Sequence, residues 1–383
     1  MTFHQAVRSR HDVADLRVMI VDDSIVARSV LQRMLDECPG FTVGGIARSA
    51  DQALALLAET RVDIILLDVE MPGMDGLTAL PAILTAGQGA HVVIVSSACA
   101  DGAVATLHAL ALGASDTLLK PSAGDLGAGF SAQLAERLRR LGPARRQAPV
   151  QDVPPPIDIP VPTTRTDPIG CIAIGASTGG LLALAKLFDA LDGYRDVPIL
   201  VTQHLPAEFM PYFADQVAEM AGRPAMVAVA GQALVRGEIL IAPGVAHLSL
   251  VRDPGDHRVR VHYDRAPAVS ACLPSVDPMF DAMAAMYGAA GIGVVLSGMG
   301  RDGSIGARRL AAAGGEILVQ DAASATVWGM PGTIARAGLA DAVLTPAAIG
   351  RRITARAAAG AALSPVPSAR PLIMPITGSP AWK

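Results

Sequence analysis

The sequence predicts two α/β domains in tandem, each built on a mostly parallel sheet covered by helices on both faces. Three observations point there. The chain has 383 residues, more than one ordinary domain holds. Short Val/Ile/Leu runs alternate with amphipathic stretches through both halves, the pattern of doubly covered strands separated by helices. Between the halves Gly142-Pro143, Pro149, Pro154-Pro155-Pro156, Pro160, Pro162 and Pro168 break any periodicity.

Taken in order, residues 1–15 read as a loose, disordered leader of mixed charge. The first domain, residues 16–140, offers strands at Arg17 to Val21, Thr42 to Ala47, Ile64 to Leu67, Val92 to Val95 and Thr117 to Leu119, with helical patterns such as Ile25 to Asp36 and Ala50 to Glu59 between them. Residues 141–168 form the proline-rich linker, an extended and semi-rigid spacer. The second domain, residues 169–357, offers strands at Cys171 to Ile174, Ile199 to Gln203, Glu238 to Ile241, Gly293 to Leu296 and Glu316 to Val319. Val259 to Tyr263 alternates like a solvent-facing antiparallel strand. Residues 358–383, with prolines from Pro365 to Pro380, read as a disordered tail.

Composition narrows the function. Hydrophobic residues make up 51% and aromatics 3%, so Ala, Val, Leu and Ile fill the cores. Mean hydropathy is +0.41, yet no apolar run approaches the ~20 residues that span a bilayer, and no signal-peptide pattern opens the chain. A cytoplasmic protein without membrane insertion is expected. The net charge of −4 gives no reason to expect nucleic acid. Cys38, Cys99, Cys171 and Cys272 lack CxxC spacing, so neither a zinc site nor a disulfide framework is predicted.

In open α/β sheets, reactive groups sit beyond the carboxyl ends of strands. In the first domain Asp22 and Asp23 follow the first strand and Asp68 the third. Converging carboxylates repel unless they share a divalent cation, and an all-oxygen set suits Mg²⁺. Ser96 ends the fourth strand and Lys120 the fifth. A metal, a hydroxyl and an ammonium around one carboxylate suit phosphoryl transfer to Asp68. The stretches Val21-Asp22-Asp23-Ser24, Leu67-Asp68-Val69-Glu70-Met71-Pro72-Gly73-Met74-Asp75-Gly76 and Leu119-Lys120-Pro121 resemble the signatures of two-component receiver domains, (βα)5 folds with a doubly wound sheet. The resemblance implies that Asp68 is the phosphoacceptor, that Asp22, Asp23, Asp68 and the Glu70 carbonyl hold Mg²⁺, and that Ser96 and Lys120 contact the phosphoryl group. Thr117 stands where receivers often carry an aromatic switch residue.

In the second domain Gly175-Ala176-Ser177-Thr178-Gly179-Gly180 lies between a strand and a helical run. This is a G-x-S-x-G nucleophile turn in its meaningful context, and the helix start offers free N–H groups to an oxyanion. A phosphate-cradling loop would want a following lysine or G-x-G-x-x-G spacing, and neither is present. A serine needs a base and an orienting carboxylate. His204 and His247 both follow strand candidates, as do Asp302 and Asp321, and spacing alone leaves both pairs open.

The ordered stretches Ile174-Gly175-Ala176-Ser177-Thr178-Gly179-Gly180, Gln203-His204-Leu205-Pro206, Ile241-Ala242-Pro243-Gly244, Pro274-Ser275-Val276-Asp277, Ser297-Gly298-Met299-Gly300-Arg301-Asp302-Gly303, Gln320-Asp321 and Gly329-Met330-Pro331 resemble the catalytic domain of the CheB chemotaxis protein-glutamate methylesterases, a Rossmann-like α/β fold. The resemblance implies Ser177 as nucleophile, His204 as general base and Asp302 as orienting carboxylate, supported by Thr178 and the Met299 backbone. His247 and Asp321 then take structural or rim roles. It further implies phosphorylation-activated hydrolysis of glutamate methyl esters, and deamidation of glutamine, on methyl-accepting chemoreceptors. A chemotaxis histidine kinase would be the phosphodonor, and the esterase domain would need no cofactor. Where this family often has an arginine after the histidine motif, the chain reads Phe209-Met210-Pro211-Tyr212-Phe213-Ala214-Asp215-Gln216.

Overall fold

The computed structural model describes residues 15–96, 100–120, 128–142, 165–191 and 196–363. The leader up to residue 14, residues 143–164 of the linker and residues 364–383 of the tail lie outside the described residues. The first sheet comes from β1 (Leu16–Val21), β2 (Phe41–Ala47), β3 (Ile64–Asp68), β4 (His91–Ser96) and β5 (Asp116–Leu119). Helices α1 (Ile25–Asp36), α2 (Ala50–Glu59), α3 (Gly76–Ala86), α4 (Ala100–Leu112) and α5 (Ala128–Leu141) alternate with the strands. The order β2-β1-β3-β4-β5 is parallel throughout, so the chain reverses direction across the sheet between β1 and β3. Ser24, Ser49 and Asp75 each accept a backbone N–H from the first turn of α1, α2 and α3, which fixes where those helices begin. Gly76 has to be glycine: a Cβ there would lie 2.1 Å from the Asp68 carbonyl oxygen. The loop after β3 therefore closes directly onto the strand end that presents Asp68.

The second domain contains β6 (Cys171–Ala176), α6 (Gly180–Asp189), β7 (Ile199–Gln203), α7 (Met210–Ala221), β8 (Ala225–Val227), β9 (Ile239–Ile241), β10 (His247–Arg252) and β11 (Val259–Asp264). It continues with α8 (Val276–Tyr287), β12 (Gly291–Val295), α9 (Ser304–Ala312), β13 (Glu316–Gln320), α10 (Met330–Arg336), β14 (Ala342–Leu344) and α11 (Pro346–Leu363). The parallel sheet runs β14-β13-β12-β6-β7-β9-β8, with β10 and β11 as a separate antiparallel pair. Strand β6 sits where the order reverses, flanked by β7 and β12. A crevice opens at such a switch point.

The sequence leaves β8, β10 and β14 unread. Two of them are three-residue strands at the sheet edges, too short to show a period. The tail also needs correction, because α11 continues to Leu363, beyond the expected boundary at residue 357. The reason is local and tertiary together. Five of the seven residues 357–363 are alanine, the best helix former, and Arg356 just before them anchors the helix with Nη1 on Glu316 Oε2 at 2.7 Å.

Glu316 also accepts from Arg352 Nε at 2.8 Å and is itself buried at the start of β13. Removing one partner of a buried charge cluster costs about 3–5 kcal/mol, because the remaining charge is stranded. Glu316→Ala is therefore expected to lower the unfolding free energy of the second domain by about that much, read as a shift of the midpoint in chemical denaturation. Among the described residues no helix is long and apolar enough to cross a membrane.

Candidate active site

Ser177, His204 and Asp302 follow β6, β7 and β12, three neighbouring strands of one sheet. Adjacent parallel strands end at the same edge, so three distant stretches of chain are brought to one crevice. Gly179, at the N-terminus of α6, has φ +73° and would place a Cβ 2.3 Å from Thr326. Glycine there permits the tight turn that exposes Ser177.

His204 Nε2 lies 2.8 Å from Asp302 Oδ2. Asp302 is buried, with Oδ1 accepting from Ser275 Oγ at 2.6 Å and Oδ2 from the Val276 N–H at 2.7 Å. The carboxylate thus has all its donors in place and cannot turn away from the ring. Ser177 and His204 line one cavity of about 330 Å³, together with Thr178, Cys272, Leu273 and Met299. Among the described residues no hydrogen bond joins Ser177 Oγ to His204. Resting sites commonly close that gap only when substrate binds.

Burial on its own would lower the His204 pKa, but the Asp302 hydrogen bond, with further support from Cys272 and the Asp302 charge, raises it from the ordinary 6.5 to about 9. Burial would raise Asp302, yet His204, Ser275 and the Val276 N–H together hold it below its ordinary value of 3.8. Asp302 therefore favours a proton on the imidazole and steadies the imidazolium whenever the ring gains a second one. The imidazole's pKa is higher folded than unfolded, so its stabilising contribution is complete below about 6.5 and is lost as pH rises through about 9. The carboxylate's contribution is present above 3.8 and is lost as pH falls below it. NMR titration of Ser177→Ala protein should show the His204 ring titrating well above 6.5. A midpoint at or below that value would contradict the pairing.

The two open alternatives part company in the structure. His247 accepts the Ser275 N–H on Nδ1 at 2.9 Å and faces the Ala266 carbonyl with Nε2 at 2.9 Å. Both ring nitrogens are spent on backbone, so it braces the loop that carries Ser275. Asp321 accepts the N–H groups of Ala323 and Ser324 and the Ser324 hydroxyl, and holds its own turn. Sequence reasoning missed Ser275, which grips Asp302, and Gln203, whose Nε2 donates to the Ser177 carbonyl at 2.9 Å. Ser275 stands in a stretch quoted for its resemblance, but nothing in its spacing ties it to Asp302.

In the first domain Asp22, Asp23 and Asp68 present carboxylate oxygens within 4.8 Å of one another. Lys120 Nζ lies 2.7 Å from Asp68 Oδ2 and 3.2 Å from Asp22 Oδ2. The second contact is an ion pair without hydrogen-bond direction, and Asp22 Oδ2 is a buried oxygen with no hydrogen-bond donor. A buried anionic oxygen met by one ammonium alone, inside an all-oxygen cluster, fits a hard divalent cation such as Mg²⁺. Burial, opposed by Lys120 and assisted by Asp22, raises the Asp68 pKa. The Glu70 N–H lies 3.2 Å from Asp68 Oδ1. Ser96 is buried at the end of β4, and its hydroxyl accepts from Thr106 Oγ1 of α4 at 2.8 Å.

The two domains touch at the crevice. The Gly179 N–H donates to the Ser115 carbonyl at 3.0 Å, and Thr178 Oγ1 donates to Asp116 Oδ2 at 3.3 Å. Asp116, Arg137 and Leu141 of the first domain complete the cavity wall beside Ser177.

Comparison with known proteins gives matches along nearly the whole chain. The family model described as CheB methylesterase matches residues 172–353, and that described as response regulator receiver domain matches residues 18–127. A Caulobacter vibrioides protein named protein-glutamate methylesterase/protein-glutamine glutaminase 2 is 44% identical over 345 residues, 89% of this chain and 99% of that protein. A Paramagnetospirillum magneticum protein named protein-glutamate methylesterase/protein-glutamine glutaminase 1 is 38% identical, covering 86% of this chain and 93% of its own. The solved Thermotoga maritima CheB methylesterase catalytic domain is 31% identical, covers 49% of this chain and 97% of that chain, and superposes with a TM-score of 0.47.

Proposed function

This chain belongs to the CheB methylesterase family, the protein-glutamate methylesterases/protein-glutamine glutaminases, and from that premise we propose that it hydrolyses glutamate γ-methyl esters, and deamidates glutamine, on methyl-accepting chemoreceptors under control of phosphorylation at Asp68. The observation that carries the reading is that His204, bonded to the buried Asp302, lines the same cavity as Ser177.

With Nε2 committed to Asp302, the other ring nitrogen of His204 is the one available to the serine. Ser177 Oγ attacks the γ-carbonyl carbon as His204 takes the hydroxyl proton. The imidazolium, held by Asp302, returns that proton to the departing methoxide, and methanol leaves. Water then attacks the acyl-enzyme with the same histidine as base, freeing the glutamate carboxylate and restoring Ser177. A glutamine side chain presents the same carbonyl with ammonia as leaving group. Backbone N–H groups at the start of α6, with Thr178 and the Met299 backbone at the rim, are suited to the oxyanion.

The first domain supplies the control. Asp68 is the phosphoacceptor, and Asp22, Asp23, Asp68 and the Glu70 carbonyl would hold Mg²⁺, which neutralises charge on the phosphoryl oxygens when bound. Lys120 and Ser96 meet the phosphoryl group, and the phosphodonor is the histidine kinase of the chemotaxis array. In the unphosphorylated chain the Ser115 carbonyl engages the Gly179 N–H and Asp116 engages Thr178, so the receiver occupies polar groups beside the nucleophile. The aromatic switch is replaced by Thr117, and the Thr106–Ser96 hydroxyl bond gives α4 its own link to the phosphorylation site. We place the reaction in the cytoplasm, where the free thiols Cys38, Cys171 and Cys272 stay reduced.

The test is methanol release from methylated receptor fragments, with and without a small-molecule phosphodonor and Mg²⁺. Release is expected in both cases, faster with the donor. Absence of methanol under phosphorylating conditions would overturn the assignment.

A further inference from the structure

Two clusters of metal-ligating groups occur among the described residues, and they differ in chemistry. One is the all-oxygen set Asp22, Asp23 and Asp68. The other is His204, Cys272 and Asp302, each offering one ligand atom within 4.8 Å of the others. We propose that His204, Cys272 and Asp302 form a binding site for a thiophilic divalent cation, Zn²⁺ fitting best, and that its occupation reversibly inhibits the esterase. The inhibitory half rests on the reading of His204 and Asp302 as base and orienting carboxylate. The binding half stands without it.

The donor set argues for the ion. One sulfur, one imidazole nitrogen and one carboxylate oxygen are the ligands of tetrahedral zinc sites, whereas Mg²⁺ prefers oxygen alone and keeps its waters. Zinc bonds of about 2.0–2.3 Å in tetrahedral geometry separate nitrogen and oxygen ligands by roughly 3.4 Å. The His204–Asp302 distance of 2.8 Å therefore has to open slightly. The outer partners a metal ligand needs are present, since Ser275 Oγ and the Val276 N–H already fix the Asp302 carboxylate. Cys272 and His204 both face the cavity that holds Ser177, so three protein ligands leave an open fourth position toward water or substrate. Binding releases the thiol proton and takes the ring edge that faces Asp302, so the neutral imidazole carries its one proton on the other nitrogen, and the base is out of action without any covalent change to the protein. Sequence spacing gave no hint of zinc because the three ligands come from segments far apart in the chain.

Co²⁺ is the probe, added to the full-length protein in excess Mg²⁺ so that the receiver carboxylates are already served. One equivalent is expected to bind with thiolate-to-metal charge-transfer absorption and the intense visible bands of tetrahedral Co²⁺, and Zn²⁺ should displace it. Cys272→Ser should abolish the charge-transfer band while the other cysteines remain, and Cys272→Ala should do the same if the serine variant folds poorly. In the methanol assay Zn²⁺ should inhibit and a chelator restore activity. The half-inhibitory Zn²⁺ concentration should rise at least tenfold in the Cys272 variants, each measured against its own metal-free rate. No charge-transfer band, or one that persists in both variants, would overturn the site. Binding without loss of methanol release would leave the ion in place and refute the inhibition, a result separate from failure of the esterase reading, in which metal-free protein releases no methanol.

Discussion

Ser177→Ala is expected to reduce methanol release by on the order of 10⁶-fold, as loss of the nucleophile does in a serine hydrolase. In the proposed mechanism the hydroxyl oxygen forms the acyl bond, and alanine leaves water to attack the ester unaided apart from binding and oxyanion donors. The substitution deletes one oxygen at a cavity wall, so the denaturation midpoint should hardly move. Phosphorylation should persist as well, because Asp68 and Lys120 belong to another sheet. The measurement pairs methanol release with phosphoryl uptake on the same preparation. Wild-type turnover in this variant would remove the serine from the mechanism.

Asp302→Asn is expected to cost about 10⁴-fold in turnover while the fold stays intact, the loss that attends a mis-set catalytic imidazole. The carboxylate accepts from His204, Ser275 and the Val276 N–H. An amide has a single oxygen to meet these donors, and its NH₂ group faces at least one of them. The ring is then no longer held with its proton toward residue 302, and the imidazolium that forms in the transition state loses its partner. His204 should titrate lower in this variant, since the Asp302 hydrogen bond and charge both raise its pKa. Combined with Ser177→Ala, the loss should be no greater than for the serine change alone, because the residues act as one unit. Additive losses would show that Asp302 serves something other than the imidazole.

Ser177 was legible because a glycine turn between a strand and a helix is a local pattern. Asp22, Asp23, Asp68, Ser96 and Lys120 were legible for a related reason, since each closes a short apolar run, and parallel strands of known order must end together. The proposed general base was not legible from spacing. His204 and His247 both follow strands, and only the hydrogen bonds separate them: His247 spends both nitrogens on backbone, while His204 keeps one ring edge on Asp302. Helix α11 outran its expected end because its docking partner, Glu316, is remote in sequence.

Alone, the amino-acid sequence determined the two α/β units, the turn that bears the serine and the acidic strand ends. Those are consequences of periodicity and backbone conformation, which act over a few residues. Only the tertiary structure decided which imidazole meets which carboxylate, that Cys272 stands beside them, and that Ser115 and Asp116 reach the nucleophile turn. Hydrogen bonds and ion pairs form across a few ångströms of space whatever the distance along the chain, so their partners are chosen by strand order and packing.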